Sequence, residues 1–78
     1  MNLLVLTQNN CRYCNQAKEY LNNQEVEYDV INMSEQPEYQ EKYDVMGAPT
    51  ILLLDEDEVI ARTTGFNQET LDTFIEQL

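Results

Sequence analysis

Stretches of apolar residues along this chain predict four strands. The continuous apolar run within residues 2–7 is typical of a buried strand, and a second such run lies at residues 50–54. Residues 26–32 alternate apolar and polar positions at first, as a half-buried strand does. Residues 59–63 follow an acidic turn at residues 55–57, so they are predicted to return alongside the preceding strand as a hairpin.

The segment that follows the first strand has the apolar spacing of a helix. A stripe with i, i+3, i+7 spacing runs along residues 11–23 and predicts a face buried against the sheet: Cys14, Ala17 and Leu21. Asn10 or Cys11 is expected near the cap of this helix, and two asparagines suit its end.

Two further helices are predicted downstream. Residues 35–44 have Ser34 as a candidate N-cap and Pro37 in the first turn, where proline is tolerated. Within them Tyr39 and Tyr43 lie four residues apart on one face, and core packing is the favoured interpretation of this pair. Residues 67–78 carry one apolar face: Leu71, Phe74, Ile75 and Leu78.

The predicted order of elements is β-α-β-α-β-β-α. A helical crossover between the first two strands requires them to be parallel, whereas the last two form an antiparallel hairpin. One mixed four-stranded sheet with helices on both faces accounts for every apolar stripe. Because 78 residues can bury a single modest core, we expect one α/β domain over residues 1–78.

The charge of the chain is strongly negative and unevenly distributed. The net charge is −11, yet residues 1–24 carry +1 and residues 25–78 carry −12. Phosphate repels such a surface, so nucleic acid is excluded as a partner. One interpretation is that the acidic residues only keep a small protein soluble. The other is that their absence from residues 1–24 leaves this segment without a negative electrostatic field, which would disfavour a thiolate.

The N-terminal sequence and the apolar runs also bear on location. No run of about 18 apolar residues is present, so we expect no membrane-spanning segment. The first residues have no basic region and turn polar after residue 6, unlike a signal peptide. We therefore expect a cytoplasmic protein, in which a single cysteine pair is more often catalytic than structural.

Cys11 and Cys14 are the only cysteines, and they are spaced C-x-x-C between the first strand and the first helix. This arrangement is typical of a thiol–disulfide redox centre. The start of a helix carries partial positive charge and unpaired N–H groups, which favour a thiolate. A free cysteine titrates at about 8.5, and such settings lower that value. A thiolate near neutral pH is what disulfide exchange requires.

With these residues in place, the chain resembles the thioredoxin superfamily over nearly its whole length. The early first strand, the C-x-Y-C motif and the short first helix are similar to those of glutaredoxins. The run from Val45 to Leu54, continuing to Gly65, is closer to the G-x-P-T strand and hairpin of thioredoxins. This combination resembles the NrdH-type redoxins and small phage glutaredoxins, which implies a thioredoxin fold and electron supply to ribonucleotide reductase.

The resemblance implies a role for each matching residue. Cys11 would be the exposed nucleophile and Cys14 the resolving thiol. Pro49 matches the family's cis-proline, which faces the cysteines. Ala48 would offer its backbone N–H and C=O to an extended substrate segment. Tyr13 matches the tyrosine of the glutaredoxin motif. The redox centre would then be a Cys11–Cys14 disulfide, with no bound cofactor and no metal.

Several residues depart from the glutaredoxin pattern. Arg12 stands where proline is usual and adds a cation beside the first cysteine, although it can equally be an exposed solubilising residue. Gln8 replaces a basic residue, and both residues 47–49 and residues 65–68 differ from the glutathione-binding runs of glutaredoxins. The predicted substrate-binding residues are Arg12, Tyr13, Ala48, Pro49, Gly65 and Phe66.

We therefore expect a monomeric dithiol carrier that reduces protein disulfides, those of ribonucleotide reductase first among them. Its reductant would be a thioredoxin reductase or glutathione, and the altered contacts favour the reductase. Three alternatives stay open: a glutathione-dependent glutaredoxin, a zinc or iron–sulfur module, and an interaction domain whose cysteines only pack in the core. A closed zinc site needs four ligands, which two cysteines and no histidine supply only in a dimer.

Overall fold

The computed structural model describes all residues from Met1 to Leu78. Its elements follow the predicted order: β1 (Asn2–Thr7), α1 (Arg12–Asn23), β2 (Asp29–Asn32), α2 (Glu38–Lys42), β3 (Thr50–Asp55), β4 (Glu58–Thr64) and α3 (Gln68–Glu76).

The four strands form one mixed sheet in the order β2-β1-β3-β4. Strand β1 pairs parallel with β2 and antiparallel with β3. Strands β3 and β4 form an antiparallel hairpin with a register shift between Leu53 and Leu54. The predicted parallel pair and hairpin are both confirmed.

The two continuous apolar strands are buried because both of their faces are covered. Successive side chains of a strand point to opposite faces, so a strand between two helical layers has no solvent side. One face packs against α1 and α3 in a core cluster: Leu3, Val5, Ala17, Leu21, Ile51, Leu53, Leu71 and Phe74. The other face packs against the α2 side: Leu4, Leu6, Met33, Val45, Leu52 and Leu54. Helices therefore cover both faces of the sheet, as predicted.

Strand β2 is shorter than the predicted 26–32 and begins at Asp29. Tyr28 donates its hydroxyl hydrogen bond to the Asn22 side chain at 2.8 Å and lies 3.3 Å from the Lys18 carbonyl oxygen. Val26 and Tyr28 pack against the core beneath α1. This segment is therefore held to the end of α1 rather than to the edge of β1.

Helix α2 is also shorter than the predicted 35–44, and the prediction of Ser34 as its cap is wrong. Pro37 occupies the N-cap position. The Ser34 hydroxyl instead accepts a hydrogen bond from the Asn9 N–H at 3.1 Å, so it is engaged by another loop. Asp44 has a φ of 52°, in the left-handed region that ends a helix. Tyr39 and Tyr43 do pack against the core, as predicted.

The other two helices agree with the sequence more closely. Cys11, not Asn10, is the N-cap of α1. Asn67 caps α3 by accepting a hydrogen bond from the Thr70 N–H at 3.0 Å. Leu78 lies beyond the end of α3 and is 48% exposed, so the prediction that it belongs to the buried face is wrong. No helix has the length and apolar character needed to cross a membrane.

Candidate active site

The loops that carry the predicted site residues meet at one end of the sheet. Thr7 at the end of β1 is paired with Asn32 at the end of β2. Leu6 is paired with Thr50 at the start of β3, and Thr50 with Thr64 at the end of β4. The loop of residues 8–11 (the cysteine loop), the loop of residues 47–49 (the Pro49 loop) and the residues after β4 therefore lie at the same end of the sheet.

The cysteine pair occupies the start of α1 at this end. Cys11 and Cys14 form a disulfide, with their Cα atoms 5.2 Å apart. Cys14 is 1% exposed and belongs to the buried face of α1, as its spacing predicts. Cys11 is partly exposed. The two cysteines thus differ in exposure, and Cys11 is the more accessible residue.

The N-cap position places polar groups around the Cys11 sulfur. The Cys14 backbone N–H donates to Cys11 Sγ at 3.1 Å. The first turn of α1 contains no acidic residue and does contain the exposed Arg12. A thiolate at Cys11 would be stabilised by this N–H and by the helix dipole.

A polar network that sequence reasoning missed holds the cysteine loop in place. The Asn9 N–H donates to Ser34 Oγ, and the Asn32 side-chain amide donates to Asn9 Oδ1 at 2.9 Å. The Met33 N–H donates to the Thr7 carbonyl at 2.7 Å. Asparagines before a helix and after a strand are a weak signal, since nothing in the sequence shows that the two loops meet.

The Pro49 loop faces the same end of the sheet and is rigidly bound. The Ala48–Pro49 peptide bond is cis, which confirms the sequence-based prediction. The Thr50 hydroxyl donates to the Gly47 carbonyl at 2.7 Å, and the Gly65 N–H donates to the Pro49 carbonyl at 2.7 Å. Gly65 has a φ of +85°, a conformation that side chains other than glycine rarely adopt.

Ala48 keeps its backbone polar groups free. Neither its N–H nor its C=O has a backbone partner in the protein. The residue is only partly buried, whereas Pro49 beside it is almost completely buried. A free donor and acceptor on a fixed loop can pair with an extended chain, as the edge of a sheet does.

The other predicted binding residues are dispersed around these loops. Arg12 and Tyr13 lie in the first turn of α1, and Tyr13 is 55% exposed. Phe66 is partly buried and packs against Tyr20 of α1, with ring centroids 5.8 Å apart. Its ring is thus engaged with α1, while the roles of all these residues in binding stay predictions.

Met46 and Thr50 are two further residues of this end that were not among the predicted site residues. Met46 is 89% exposed, just before the Pro49 loop. Thr50 is fully buried and holds the loop through its hydroxyl. The signals for Thr50 in the sequence were its place in the G-x-P-T run and its polar group at the start of an apolar strand.

Comparison with known proteins agrees with this geometry. The sequence model of the glutaredoxin family matches residues 3–53. The chain is 34% identical to the SPbeta prophage-derived thioredoxin-like protein YosR of Bacillus subtilis, over all of this chain and 99% of that protein. It is also 44% identical to the glutaredoxin-like protein NrdH of Lactococcus lactis, over 60% of this chain and 69% of that protein.

Solved structures show the same fold. NrdH-redoxin from Escherichia coli superposes with a TM-score of 0.80 at 20% identity, covering 94% of this chain and 93% of that one. Thioredoxin 1 from Thermosipho africanus superposes with a TM-score of 0.77 at 23% identity, covering 99% and 92%. The protein thus has the predicted thioredoxin fold, and with its paired cysteines it is a thiol–disulfide oxidoreductase that belongs to the glutaredoxin family.

Proposed function

We propose that this protein is a monomeric dithiol electron carrier that reduces protein disulfides, with a ribonucleotide reductase as its principal substrate and a thioredoxin reductase as its electron donor. It works without a bound cofactor. The observation that carries the proposal is the difference in burial between the two cysteines, since Cys14 is 1% exposed and Cys11 is partly exposed at the helix cap.

The two sulfurs divide the reaction between them. The Cys11 thiolate attacks one sulfur of the substrate disulfide, which forms a mixed disulfide and releases the other substrate sulfur as a thiolate. Cys14, after losing its proton, then attacks Cys11 Sγ and releases the second substrate thiolate. The two substrate thiolates take up protons. Two electrons have moved to the substrate, and the Cys11–Cys14 disulfide remains to be reduced by the donor.

The free backbone groups of Ala48 support a protein rather than a small-molecule substrate. An extended segment that flanks the substrate disulfide can donate to the Ala48 carbonyl and accept from its N–H, as an added strand does. This pairing recognises backbone and tolerates many side chains. The hydrogen bonds from Thr50 and Gly65 keep the loop in position before the substrate arrives.

Ribonucleotide reductase is proposed from the resemblance to NrdH-type redoxins. The similarity to NrdH of Lactococcus lactis extends over 50 aligned residues, which is 60% of this chain. The test is deoxyribonucleotide formation by the ribonucleotide reductase encoded in the same genome, with this protein as the only dithiol. Cys11→Ser protein is the control. A rate no higher than with the control would contradict this substrate.

The choice of donor follows from charge and contacts. Glutathione is an anionic tripeptide that needs cationic and polar partners. Gln8 supplies no charge, Phe66 packs against Tyr20, and residues 25–78 carry a net −12. Arg12 is the one free cation of the first turn. NrdH-redoxin from Escherichia coli has a thioredoxin-like activity profile, which also favours a thioredoxin reductase as the donor for this protein.

The donor is tested by a coupled assay on a protein disulfide such as insulin. Thioredoxin reductase with NADPH is compared with glutathione, glutathione reductase and NADPH at equal protein concentration. We expect turnover to be faster with thioredoxin reductase. Clearly faster turnover with glutathione would make the protein a glutathione-dependent glutaredoxin. Arg12→Gln shows whether that cation contributes to either route.

A further inference from the structure

We propose that Met46 determines substrate specificity by contacting an apolar side chain next to the disulfide of the bound substrate segment. This inference rests on the proposed reduction of protein disulfides and names the chemistry of the segment that is preferred. It adds to the Ala48 backbone pairing a side-chain contact that distinguishes one segment from another.

Met46 is exposed but not loosely held. Among the exposed large hydrophobic residues its exposed fraction is the highest, at 89%. Val45 before it is 5% exposed, lies in the core, and donates its N–H to the Gln40 carbonyl at 2.9 Å. Gly47 after it is bound by the Thr50 hydroxyl. The backbone on both sides is fixed, so the side chain projects into solvent from a rigid support.

The position of Met46 relative to Ala48 brings it within reach of a bound segment. Two peptide units separate the residues, so their Cα atoms are at most about 7.6 Å apart. A segment paired with the free N–H and C=O of Ala48 extends along the same loop. Side chains of an extended segment alternate in direction, and one of every two faces the loop. That side chain would meet Met46.

The charges around Met46 favour an apolar partner over an acidic one. The two cations of residues 25–78 are both engaged in the fold. Lys42 lies over the Tyr43 ring, 5.2 Å from its centroid. Arg62 donates to the carbonyl oxygens of Tyr43 and Asp44 at 2.6 and 3.3 Å. The one free cation at this end of the sheet, Arg12, belongs to α1 and not to the loop that carries Met46. Methionine is flexible and adapts to apolar groups of different shape, so the loop itself favours an apolar partner.

The experiment compares Met46→Gln with wild-type protein on two synthetic peptides and one small disulfide. The peptides carry the same internal disulfide and differ only in the residue beside the attacked cysteine, leucine in one and serine in the other. Bis(2-hydroxyethyl) disulfide is the small substrate, because it reaches Cys11 without lying on the loop. Glutamine keeps the length of methionine, and at an exposed position it leaves the fold unchanged, which circular dichroism verifies.

A matched control comes from the opposite end of the sheet. Ile60 is 46% exposed and lies beside the register shift near the hairpin turn, away from the end where Thr50 and Thr64 pair. Ile60→Gln therefore removes an exposed apolar side chain of similar size without changing the proposed contact.

We expect wild-type protein to have a higher kcat/KM on the leucine peptide than on the serine peptide. Met46→Gln should lower kcat/KM about five- to tenfold on the leucine peptide alone, which is the size of one buried apolar contact. Its rates on the serine peptide and on the small disulfide should match wild type, as should all three rates of Ile60→Gln. Equal kcat/KM of Met46→Gln and wild type on the leucine peptide would overturn the inference and leave disulfide reduction intact. Wild-type protein that reduces neither peptide would overturn the proposed function and this inference together.

Discussion

Thr50→Val tests whether a single buried hydroxyl holds the Pro49 loop. Thr50 is 0% exposed, and its hydroxyl donates to the Gly47 carbonyl at 2.7 Å. That carbonyl has no other hydrogen-bond donor within the backbone. Valine has nearly the same shape as threonine, so the substitution deletes the hydrogen bond without leaving a cavity.

The cost follows from the groups left behind. A lost hydrogen bond costs about 0.5–1.5 kcal/mol, and a buried carbonyl without a partner costs about 1–3 kcal/mol. Gly47 is only partly buried, so water can reach its carbonyl in part and the lower values apply. We expect the free energy of unfolding to fall by about 1–2 kcal/mol. In a chain of this size each kcal/mol lowers the melting temperature by about 4–8 °C.

The assay is urea denaturation of the oxidised protein, followed by circular dichroism. The midpoint should fall and the slope should stay the same, because the fold and its buried area are retained. Thr64→Val is the control, since Thr64 is exposed and its hydroxyl lies 3.5 Å from that of Thr50. It should change stability by less than about 0.5 kcal/mol. Thr50→Val with a stability equal to that of Thr64→Val would refute the reasoning.

The same variant has an expected effect on activity. A loosened loop should lower kcat/KM for a protein disulfide, which needs the Ala48 backbone in position, more than for bis(2-hydroxyethyl) disulfide. An equal loss on both substrates would show that the hydroxyl acts on the cysteines and not on the loop.

The remaining predictions concern the two cysteines and the packing of α1. Cys11→Ser should abolish reduction of every disulfide, whereas Cys14→Ser should accumulate a mixed disulfide with the substrate that mass spectrometry detects; faster alkylation of Cys14 than of Cys11 in the reduced protein would reverse the assignment. Leu21→Ala should lower the free energy of unfolding by about 2–5 kcal/mol, as loss of a fully buried leucine does, and a loss below about 1 kcal/mol in urea denaturation would contradict its place in the core. Tyr20 donates its hydroxyl hydrogen bond to Asp72, and this bond, with desolvation and the carboxylate charge, raises the Tyr20 pKa above its usual 10.0. The protonated Tyr20 hydroxyl therefore stabilises the fold fully below pH 10, and this contribution is lost as the pH rises through the raised pKa. In urea denaturation of the oxidised proteins, the higher free energy of unfolding of wild type relative to Tyr20→Phe should disappear at strongly alkaline pH.

Much of this fold could be read from local patterns because the sheet is covered on both faces. Strands β1 and β3 are continuous apolar runs, as is typical of strands covered on both faces, and only Asn2 and Asp55 at their ends are exposed. Their boundaries were predicted within a residue. The C-x-x-C spacing likewise places both sulfurs on one helical turn, so the disulfide depends on local geometry alone.

Two of the predictions that were wrong were overridden by side-chain hydrogen bonds to residues outside the predicted element. The sequence around Ser34 has the form of a helix cap, but Asn9 recruits the Ser34 hydroxyl from 25 residues away. The alternation from residue 26 has the form of a strand, but Tyr28 is bound to the end of α1. In both cases a hydrogen bond to a residue outside the element outweighs a local preference, which is worth only a fraction of a kcal/mol per residue.

The sequence by itself determined the order of the elements, the buried and exposed sides of the central strands, and the chemistry of the cysteine pair. These properties depend on residues a few positions apart, whose spacing is set by the periodicity of helix and strand. Only the tertiary structure decided which loops surround Cys11, that Ala48 keeps its backbone groups free, and that Met46 stands exposed beside them. Those arrangements arise where β1 and β3 pair across more than 40 residues, and no local period encodes such a pairing.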